Sequence, residues 1–163
     1  MPNEKLIAFY SGKGSDDRAR RIDEIWSFSH EELEAVHDYI QWLFPLAERS
    51  AFNPGAPLLD DETIARFRED DVLRANLERS LRVMLEFYGL AIAGHEILRV
   101  PTFGPRSRVW LTPHNHNFLR LTRILKSLSL LGLHDRATQL LACLEGLPSI
   151  DEVTLRYWRQ AVR

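Results

Sequence analysis

Residues 29–45 read SHEELEAVHDYIQWLFP, and this stretch sets the fold class that we expect for the whole chain. Ser29 followed by Glu32 is a capping box, in which each side chain satisfies a backbone N–H group at the start of a helix. Pro45 disfavours helical geometry in the residue before it, so the predicted helix ends near Phe44. Apolar residues within the stretch repeat at helical spacing, as they do on the core face of an amphipathic helix.

The same stretch carries polar side chains, among them His37, Asp38 and Gln41. Trp42 lies opposite the apolar stripe of the predicted helix, which indicates that the helix is covered on both faces. Buried polar groups need hydrogen-bond partners, so these side chains form a buried network or line a ligand pocket. A catalytic His–Asp pair is disfavoured, because adjacent residues on a helix point about 100° apart.

Helical signals continue along almost the whole sequence. Gly89 is expected in the left-handed conformation that ends a helix, and Thr112 followed by Pro113 is predicted to begin another. The segment 95–111, where ILRV and RVWL flank PTFGPRS, is predicted to be irregular or hairpin-like. We therefore predict an all-α fold, a single domain over 1–163 built as an antiparallel bundle of about six to seven helices.

The composition of the chain is that of an ordinary globular protein, with 163 residues, 45% apolar and 27% charged. Its one cysteine, Cys143, excludes an internal disulfide and favours a cytoplasmic location. The apolar stretches are shorter than the roughly 18–20 residues of a membrane span, so we expect none. No metal-binding, nucleophile-elbow or dinucleotide-binding motif is present, and we predict no metal, no cofactor and no catalytic residue.

Charge is distributed unevenly along the chain, although the net charge is only −2. Residues 1–65 contain six Lys or Arg and 13 Asp or Glu, whereas Ile97 to His134 contains six cations and no acid. Those cations are Arg99, Arg106, Arg108, Arg120, Arg123 and Lys126. The segment either presents a solvated face or binds an anion such as a phosphate, a carboxylate or an acidic peptide.

The stretch HNHNFLRLTRIL (114–125) lies inside this basic segment. In the predicted helix, apolar residues between 118 and 128 repeat as a core stripe. The N–H groups of its first turn, with Arg106 and Arg108 upstream and Arg120 within two turns, predict an anion site. Alternatively, the polar residues of this stretch only cap the backbone and the arginines are solvated.

Five blocks of the sequence, taken together, resemble the conserved domain of opioid growth factor receptors. They are FYSG (9–12), LEAVHDYIQWLFP (33–45), FNPGAPLL (52–59), SLRVMLEFYG (80–89) and HNFLRLTRILKSLSLLGL (116–133). The resemblance covers about 7–133 in the order of the family, and the helices of 134–163 are expected to complete the bundle. The long repetitive C-terminal extensions of vertebrate receptors do not follow, so we expect a short stand-alone version.

The resemblance implies a mostly helical domain that binds an enkephalin-type peptide, without a known catalytic residue. The family blocks place polar residues at matching positions: His37, Asp38, Gln41, Trp42, Asn53, His116, Asn117, Arg120 and Arg123. Together with Arg106 and Arg108 of the basic segment, these residues form our candidate ligand-binding set. Family members in animals are associated with the nucleus and its membrane.

Three functions stay open from the sequence. The first is a non-catalytic domain that binds a peptide or another ligand, whose identity the sequence does not give. The second is an enzyme or binder acting on a small molecule with a phosphate or carboxylate, with His37 or His116 as base. The third is nucleic-acid binding through 97–126, which the slightly negative net charge disfavours.

Overall fold

A computed structural model describes residues 1–163, and most of the chain is helical. The helices are α1 (Glu4–Tyr10), α2 (Ile22–Trp26), α3 (His30–Ala35), α4 (Ile40–Leu43), α5 (Asp61–Glu69), α6 (Asp71–Tyr88), α7 (Phe103–Trp110), α8 (Asn117–Leu130), α9 (His134–Glu145) and α10 (Glu152–Ala161). One antiparallel hairpin joins β1 (Leu90–Ala93) to β2 (Glu96–Arg99). The predicted helix-rich fold is confirmed, but the all-α prediction was wrong because of this hairpin. The chain also has ten helices rather than six to seven.

The chain divides into two compact units, Met1–Ser80 and Leu81–Arg163, which are described here one after the other. The boundary falls within α6, so its first ten residues belong to the first unit. Its last eight residues belong to the second unit. The expectation of a single domain over 1–163 stays a prediction.

In the first unit, the capping box predicted at Ser29 is present. The Ser29 hydroxyl accepts from the Glu32 N–H at 3.1 Å, and the Glu32 carboxylate accepts from the Ser29 N–H at 3.0 Å. The predicted helix through Phe44 was wrong, because α3 ends at Ala35 and the chain is extended at Val36. The short α4 follows after this break.

Long-range bonds explain why the chain leaves the helix here. The Tyr39 hydroxyl donates to the Leu33 carbonyl at 2.6 Å, and the Asp38 carboxylate lies 3.1 Å from Arg18 Nε and 2.9 Å from Arg20 Nη1. These contacts require Asp38 and Tyr39 to leave the helical path, and they outweigh the weak helical preference of Val36 and Asp38.

Arg20 lies between two carboxylates. The Asp16 side chain is fully buried and accepts from the Arg20 N–H at 2.9 Å and from the Arg20 guanidinium at 2.8 Å. Partial burial by itself lowers the pKa of Arg20, but hydrogen bonds and charges from Asp16 and Asp38 outweigh it and raise that pKa. The buried Asp16 is therefore paired, as a buried charge has to be.

A buried tyrosine holds three helices of the first unit together. The Tyr10 hydroxyl donates to the Leu43 carbonyl at 2.5 Å and lies 2.8 Å from Ser80 Oγ. The same Ser80 oxygen accepts from the Trp26 indole N–H at 2.9 Å. Burial raises the pKa of Tyr10, and the Ser80 contact opposes that rise only in part.

In the second unit, the chain reverses direction at Gly89, where φ is +81° as predicted for the end of a helix. The hairpin follows at once, and its turn consists of Gly94 and His95. The sequence predicted an irregular or hairpin-like segment at 95–111. β2 falls within it, but the hairpin begins earlier, at Leu90, and 103–110 forms α7.

Tertiary bonds hold α7 in place. Pro105 lies in its first turn, where the missing N–H group has no intrahelical partner to lose. The Trp110 indole N–H donates to the Tyr88 carbonyl at 3.0 Å, and its ring meets the Tyr88 ring edge-on at 5.0 Å. These contacts favour a helix over the extended pieces that the sequence suggested.

The core of the second unit is built on α8. The stripe predicted along this helix is confirmed, because its members are buried: Phe118, Leu121, Leu125 and Leu128. α9 and α10 pack against α8. The Trp158 ring meets Phe118 edge-on at 5.7 Å, and its indole N–H donates to the Phe118 carbonyl at 3.1 Å.

Replacing Gly89 tests the chain reversal. A Cβ at this position would lie 2.5 Å from the Phe103 Cα, in addition to the strain of a positive φ. We expect Gly89→Ala to lower the free energy of unfolding by about 2–4 kcal/mol in urea titrations. Gly94 has a φ of +63° but open space around it, so Gly94→Ala is the control and should cost only about 1 kcal/mol. Equal losses in the two variants would contradict the role assigned to the close approach.

Replacing Tyr10 tests the tether in the first unit. We expect Tyr10→Phe to lower the free energy of unfolding by about 1–3 kcal/mol, because Leu43 and Ser80 each lose a buried partner. The raised pKa of Tyr10 means that its stabilising effect is complete below pH 10, near the pKa of an unfolded tyrosine, and falls as pH rises above it. Unfolding titrations at neutral and alkaline pH should therefore show a steeper alkaline loss in the wild type than in Tyr10→Phe. Parallel losses would refute this assignment.

Candidate functional site

The candidate residues fall in both units. The first unit contains His37, Asp38, Gln41, Trp42 and Asn53, and the second contains Arg106, Arg108, His116, Asn117, Arg120 and Arg123.

In the first unit, the structure brings Gln41 and Asn53 together. Gln41 is buried in α4, and its Oε1 accepts from the Asn53 amide at 3.5 Å. Asp38 belongs to the ion pairs with Arg18 and Arg20, and His37 is exposed in the break before α4. The helical wheel that placed these residues around a single helix therefore does not apply.

Trp42 differs from the other polar residues of the first unit. Its side chain is buried, with its ring edge-on to Phe9 at 5.2 Å and the Lys5 ammonium 5.6 Å from its centroid. The indole N–H has no hydrogen-bond acceptor. A buried donor without an acceptor costs stability. The Trp42 indole N–H is therefore an unsatisfied hydrogen-bond donor in the core of the first unit. One Asp38 carboxylate oxygen also accepts no well-formed hydrogen bond, but it lies 2.9 Å from Arg20 Nη1 and its charge is compensated.

In the second unit, Asn117 is fully buried at the start of α8. Its N–H and its side-chain amide donate to Asn115 Oδ1 at 2.9 and 3.0 Å. Its own Oδ1 accepts from the Tyr88 hydroxyl at 3.4 Å and from Arg120 Nη1 at 3.5 Å. Arg120 is only 6% exposed. Asn117 and Arg120 therefore lie in a polar cluster within the protein, where a surface ligand does not reach them.

The start of α8 differs from the prediction. Thr112 and Pro113 lie in a turn, and the helix begins four residues later than predicted, at Asn117 instead of Pro113. The Asn115 amide donates to Thr112 Oγ1 at 3.0 Å and to the Val109 carbonyl at 3.1 Å, near the end of α7. Because Asn115 also accepts from the Asn117 N–H, one donor of the first turn of α8 has an acceptor within the protein. The anion site at this helix start stays a prediction.

The two arginines of α7 have different surroundings. Arg106 Nε donates to the Phe87 carbonyl at 2.7 Å, and its guanidinium lies 4.8 Å from the centroid of the Phe87 ring. Arg106 therefore serves the packing of α7 against the end of α6. Arg108 is exposed and has no partner in the protein.

The surface of the second unit keeps several basic side chains within reach of solvent. Arg108 and His116 are exposed, and Arg123 and Lys126 are half-exposed on α8. The pKa of Asp151 is lowered, chiefly because the Thr154 N–H and hydroxyl donate to its carboxylate and to a smaller extent because of the charge on His114. We use the name cationic surface for Arg108 and His116, which are exposed, together with Arg123, which is half-exposed on α8.

Sequence reasoning missed Arg20 and Tyr88. Their partners lie 18 and 29 positions away, at Asp38 and Asn117, so no local pattern signals either contact. No three His, Cys, Asp or Glu side chains come close enough to hold one metal ion. None of the helices has the length and apolar character needed to span a membrane.

Stability measurements separate the buried arginine from the exposed one. We expect Arg120→Ala to lower the free energy of unfolding by about 2–4 kcal/mol, because Asn117 loses a charged donor and the cluster loses packing. Arg108→Ala is the matched control, and its effect should stay within about 0.5 kcal/mol. Urea titrations of both variants provide the measurement. A neutral Arg120→Ala would mean that the buried cluster contributes nothing to stability.

Comparisons with known proteins agree with these sequence blocks. A family profile described as the opioid growth factor receptor (OGFr) conserved region matches residues 7–163. The chain is 39% identical to the opioid growth factor receptor of Mus musculus over 148 residues, which are 85% of this chain and 23% of the relative. The chain is 35% identical to the opioid growth factor receptor of Homo sapiens over 148 residues, which are 85% of this chain and 22% of that relative.

A second group of relatives is similar at a lower level. Opioid growth factor receptor-like protein 1 of Mus musculus is 33% identical over 154 residues, which are 87% of this chain and 33% of the relative. No solved structure matches the chain. The chain thus spans about a quarter to a third of the length of these curated relatives. The match over nearly all of this sequence shows that the chain belongs to the opioid growth factor receptor conserved-region family.

Proposed function

We propose that this chain is a non-catalytic domain that binds a peptide, and that its cationic surface contacts a carboxylate of that peptide. The name "receptor" carried by the relatives supports a ligand-binding role. The observation that carries the proposal is the exposure of Arg108 and His116 in a segment, Ile97 to His134, that contains no carboxylate. A cytoplasmic location is part of the proposal.

The chemistry of the surface fits a carboxylate. A guanidinium offers several N–H donors in one plane and binds the two oxygens of a carboxylate at once. No Asp or Glu in the segment competes for these donors. Because Arg108 is solvated before binding, each contact adds modest affinity, and that affinity falls as salt screens the charges.

The other candidate residues take different parts in the proposal. Arg106, Asn117 and Arg120 hold α7 and α8 in place and act on the ligand only through the fold. In the first unit His37 is exposed and is kept as a candidate contact on the surface of that unit. Trp42 is only 2% exposed, so it is assigned to the core for the same reason as Arg120. Asp38, Gln41 and Asn53 are assigned to positioning, because protein groups contact their side chains.

Nucleic-acid binding receives no support from this arrangement. Arg106 and Arg120 are taken up by contacts within the protein, which leaves fewer cations for a phosphate backbone in 97–126. A small carboxylate or phosphate ligand fits the same donors as the peptide, so the binding experiment includes both.

Binding of matched peptides tests the proposal. Arrays of linear peptides that contain Glu, paired with copies that carry Gln and an amidated C-terminus, are probed with the full chain. We expect the carboxylate forms to bind more tightly. For a selected peptide, Arg108→Ala and Arg123→Ala should each weaken the Kd by about three- to tenfold in fluorescence anisotropy.

The control is Arg49→Ala, which removes the same charge from an exposed position of the first unit. Its Kd should stay at the wild-type value, and thermal unfolding should confirm that all three variants are folded. Equal binding of the acidic and amide peptides would refute the carboxylate contact. Tight binding of free phosphate or acetate without any peptide would mean that the ligand of this surface is a small anion and not a peptide.

A further inference from the structure

A cavity of about 280 Å³ in the second unit meets the outer edge of the hairpin. Three consecutive residues of β1 line it, namely Leu90, Ala91 and Ile92. Side chains alternate between the two faces of a strand, so a cavity on one face would touch every second residue. Contact with three residues in a row places the cavity at the edge of β1. No residue of β2 (Glu96–Arg99) lines it, but Val100 and Thr102, which follow β2, complete the lining. The cavity therefore runs alongside β1 from the end of the hairpin where Gly89 and Val100 pair.

The register of the hairpin shows which backbone groups point to that edge. The Val100 N–H donates to the Gly89 carbonyl at 3.1 Å, and paired residues in an antiparallel ladder alternate between bonded and non-bonded pairs. Ala91 is therefore bonded to its partner in β2, and the N–H and C=O groups of Leu90 and Ile92 point outward. No other backbone group of the chain bonds to these two residues.

The opposite wall of the cavity is one face of α6. Leu85 and Glu86 lie three and four residues after Arg82, so both neighbour Arg82 on that face. Leu85 is buried and apolar, whereas Arg82 and Glu86 are exposed and of opposite charge. The rim therefore favours neither sign of charge, and the apolar centre suits an uncharged side chain.

The sequence of β1, LAIA, lacks the devices that usually protect an exposed edge. Protected edges carry charged residues, proline or bulges, and β1 has none of these. By contrast, β2 has a charged residue at each end and a proline two residues beyond it. An unprotected edge beside an apolar cavity is the arrangement that an added strand completes.

From these observations we infer that β1 and α6 form a docking groove for an extended segment of a partner protein, which adds to β1 as a third strand. Its backbone pairs with the outward groups of Leu90 and Ile92, at the spacing that only an extended polypeptide provides. One small or aliphatic side chain of the segment enters the cavity toward Leu85. None of the residues lining the groove belongs to the cationic surface, so this inference goes beyond the proposed function.

Proline substitution at Ile92 tests the groove. Ile92→Pro removes the outward N–H group and leaves the bonds between β1 and β2 in place, since proline is tolerated where an edge N–H faces away from its partner strand. Ile92→Ala is the matched control, because it loses the side chain but keeps the N–H group. Far-UV circular dichroism and thermal unfolding should show that both variants keep the fold.

The probe is a phage-displayed library of short linear peptides, selected on the full wild-type chain. We expect selected peptides to bind Ile92→Pro about tenfold more weakly than Ile92→Ala. In nuclear magnetic resonance spectra, hydrogen exchange of the Leu90 and Ile92 amides should slow on binding, whereas the Ala91 amide, already bonded to β2, should change little.

Several results overturn the inference. One is the selection of no peptide, and another is equal binding by the two Ile92 variants. A wild-type dimer in sedimentation experiments that Ile92→Pro dissociates would make a second copy of the chain the occupant, and would also overturn it. Peptides that respond to Arg108→Ala but not to Ile92→Pro would leave the proposed function standing and remove the groove. Peptides with the opposite response would support the groove and count against the carboxylate contact.

Discussion

α6 is followed by Gly89, a position with no room for a side chain, and the packing of the second unit depends on the close approach of Phe103 there. At Gly89 the backbone takes a positive φ, and Phe103 approaches so closely that a Cβ would lie 2.5 Å from its Cα. The approach brings α7 under the last turn of α6, where the helix leaves carbonyl groups without intrahelical partners. Arg106 and Trp110, both from α7, donate to two of these carbonyls, on Phe87 and Tyr88.

This closure divides the arginines of the basic segment into two groups. Arg106 is half-buried and its guanidinium is engaged because it caps α6, whereas Arg120 is buried in the cluster built around Asn117. Arg108 lies two residues from both Arg106 and Trp110, about 200° around α7 from each of them, and stays exposed. A charge count along the sequence treats these residues alike. Only the exposed residues offer donors to a ligand, which is why the proposed contact uses a small part of the basic segment.

Features set by neighbouring residues were predictable from the sequence. The capping box at Ser29, the left-handed Gly89 and the apolar stripe of α8 depend on residues within a few positions, and all three are present. The family resemblance was also readable, because its blocks are long and stand in the same order as in the family.

Features set by distant partners were not predictable. The break after α3 depends on Arg18 and Arg20, which lie 20 and 18 positions before Asp38. The late start of α8 depends on Asn115, whose amide bonds to a carbonyl at the end of α7. For the same reason, the candidate site was predicted by residue type but not by accessibility. A histidine, an asparagine and two arginines in one stretch read alike in the sequence, while the fold buries Asn117 and Arg120 and exposes His116.

The contact proposed for the cationic surface and the one inferred for the β1 groove would recognise different properties of a polypeptide. A guanidinium on the surface responds to a carboxylate and loses affinity as salt screens the charge. The edge of β1 responds to an extended backbone, whose hydrogen bonds depend little on salt and which carries little sequence information beyond one apolar side chain. The cationic surface and the β1 groove both lie in the second unit. The loop 100–102, which connects β2 to α7, contributes Val100 and Thr102 to the lining of the groove. A ligand that combined an acidic group with an extended apolar stretch would therefore lose only part of its affinity at high salt, whereas a ligand held by charge alone would lose most of it.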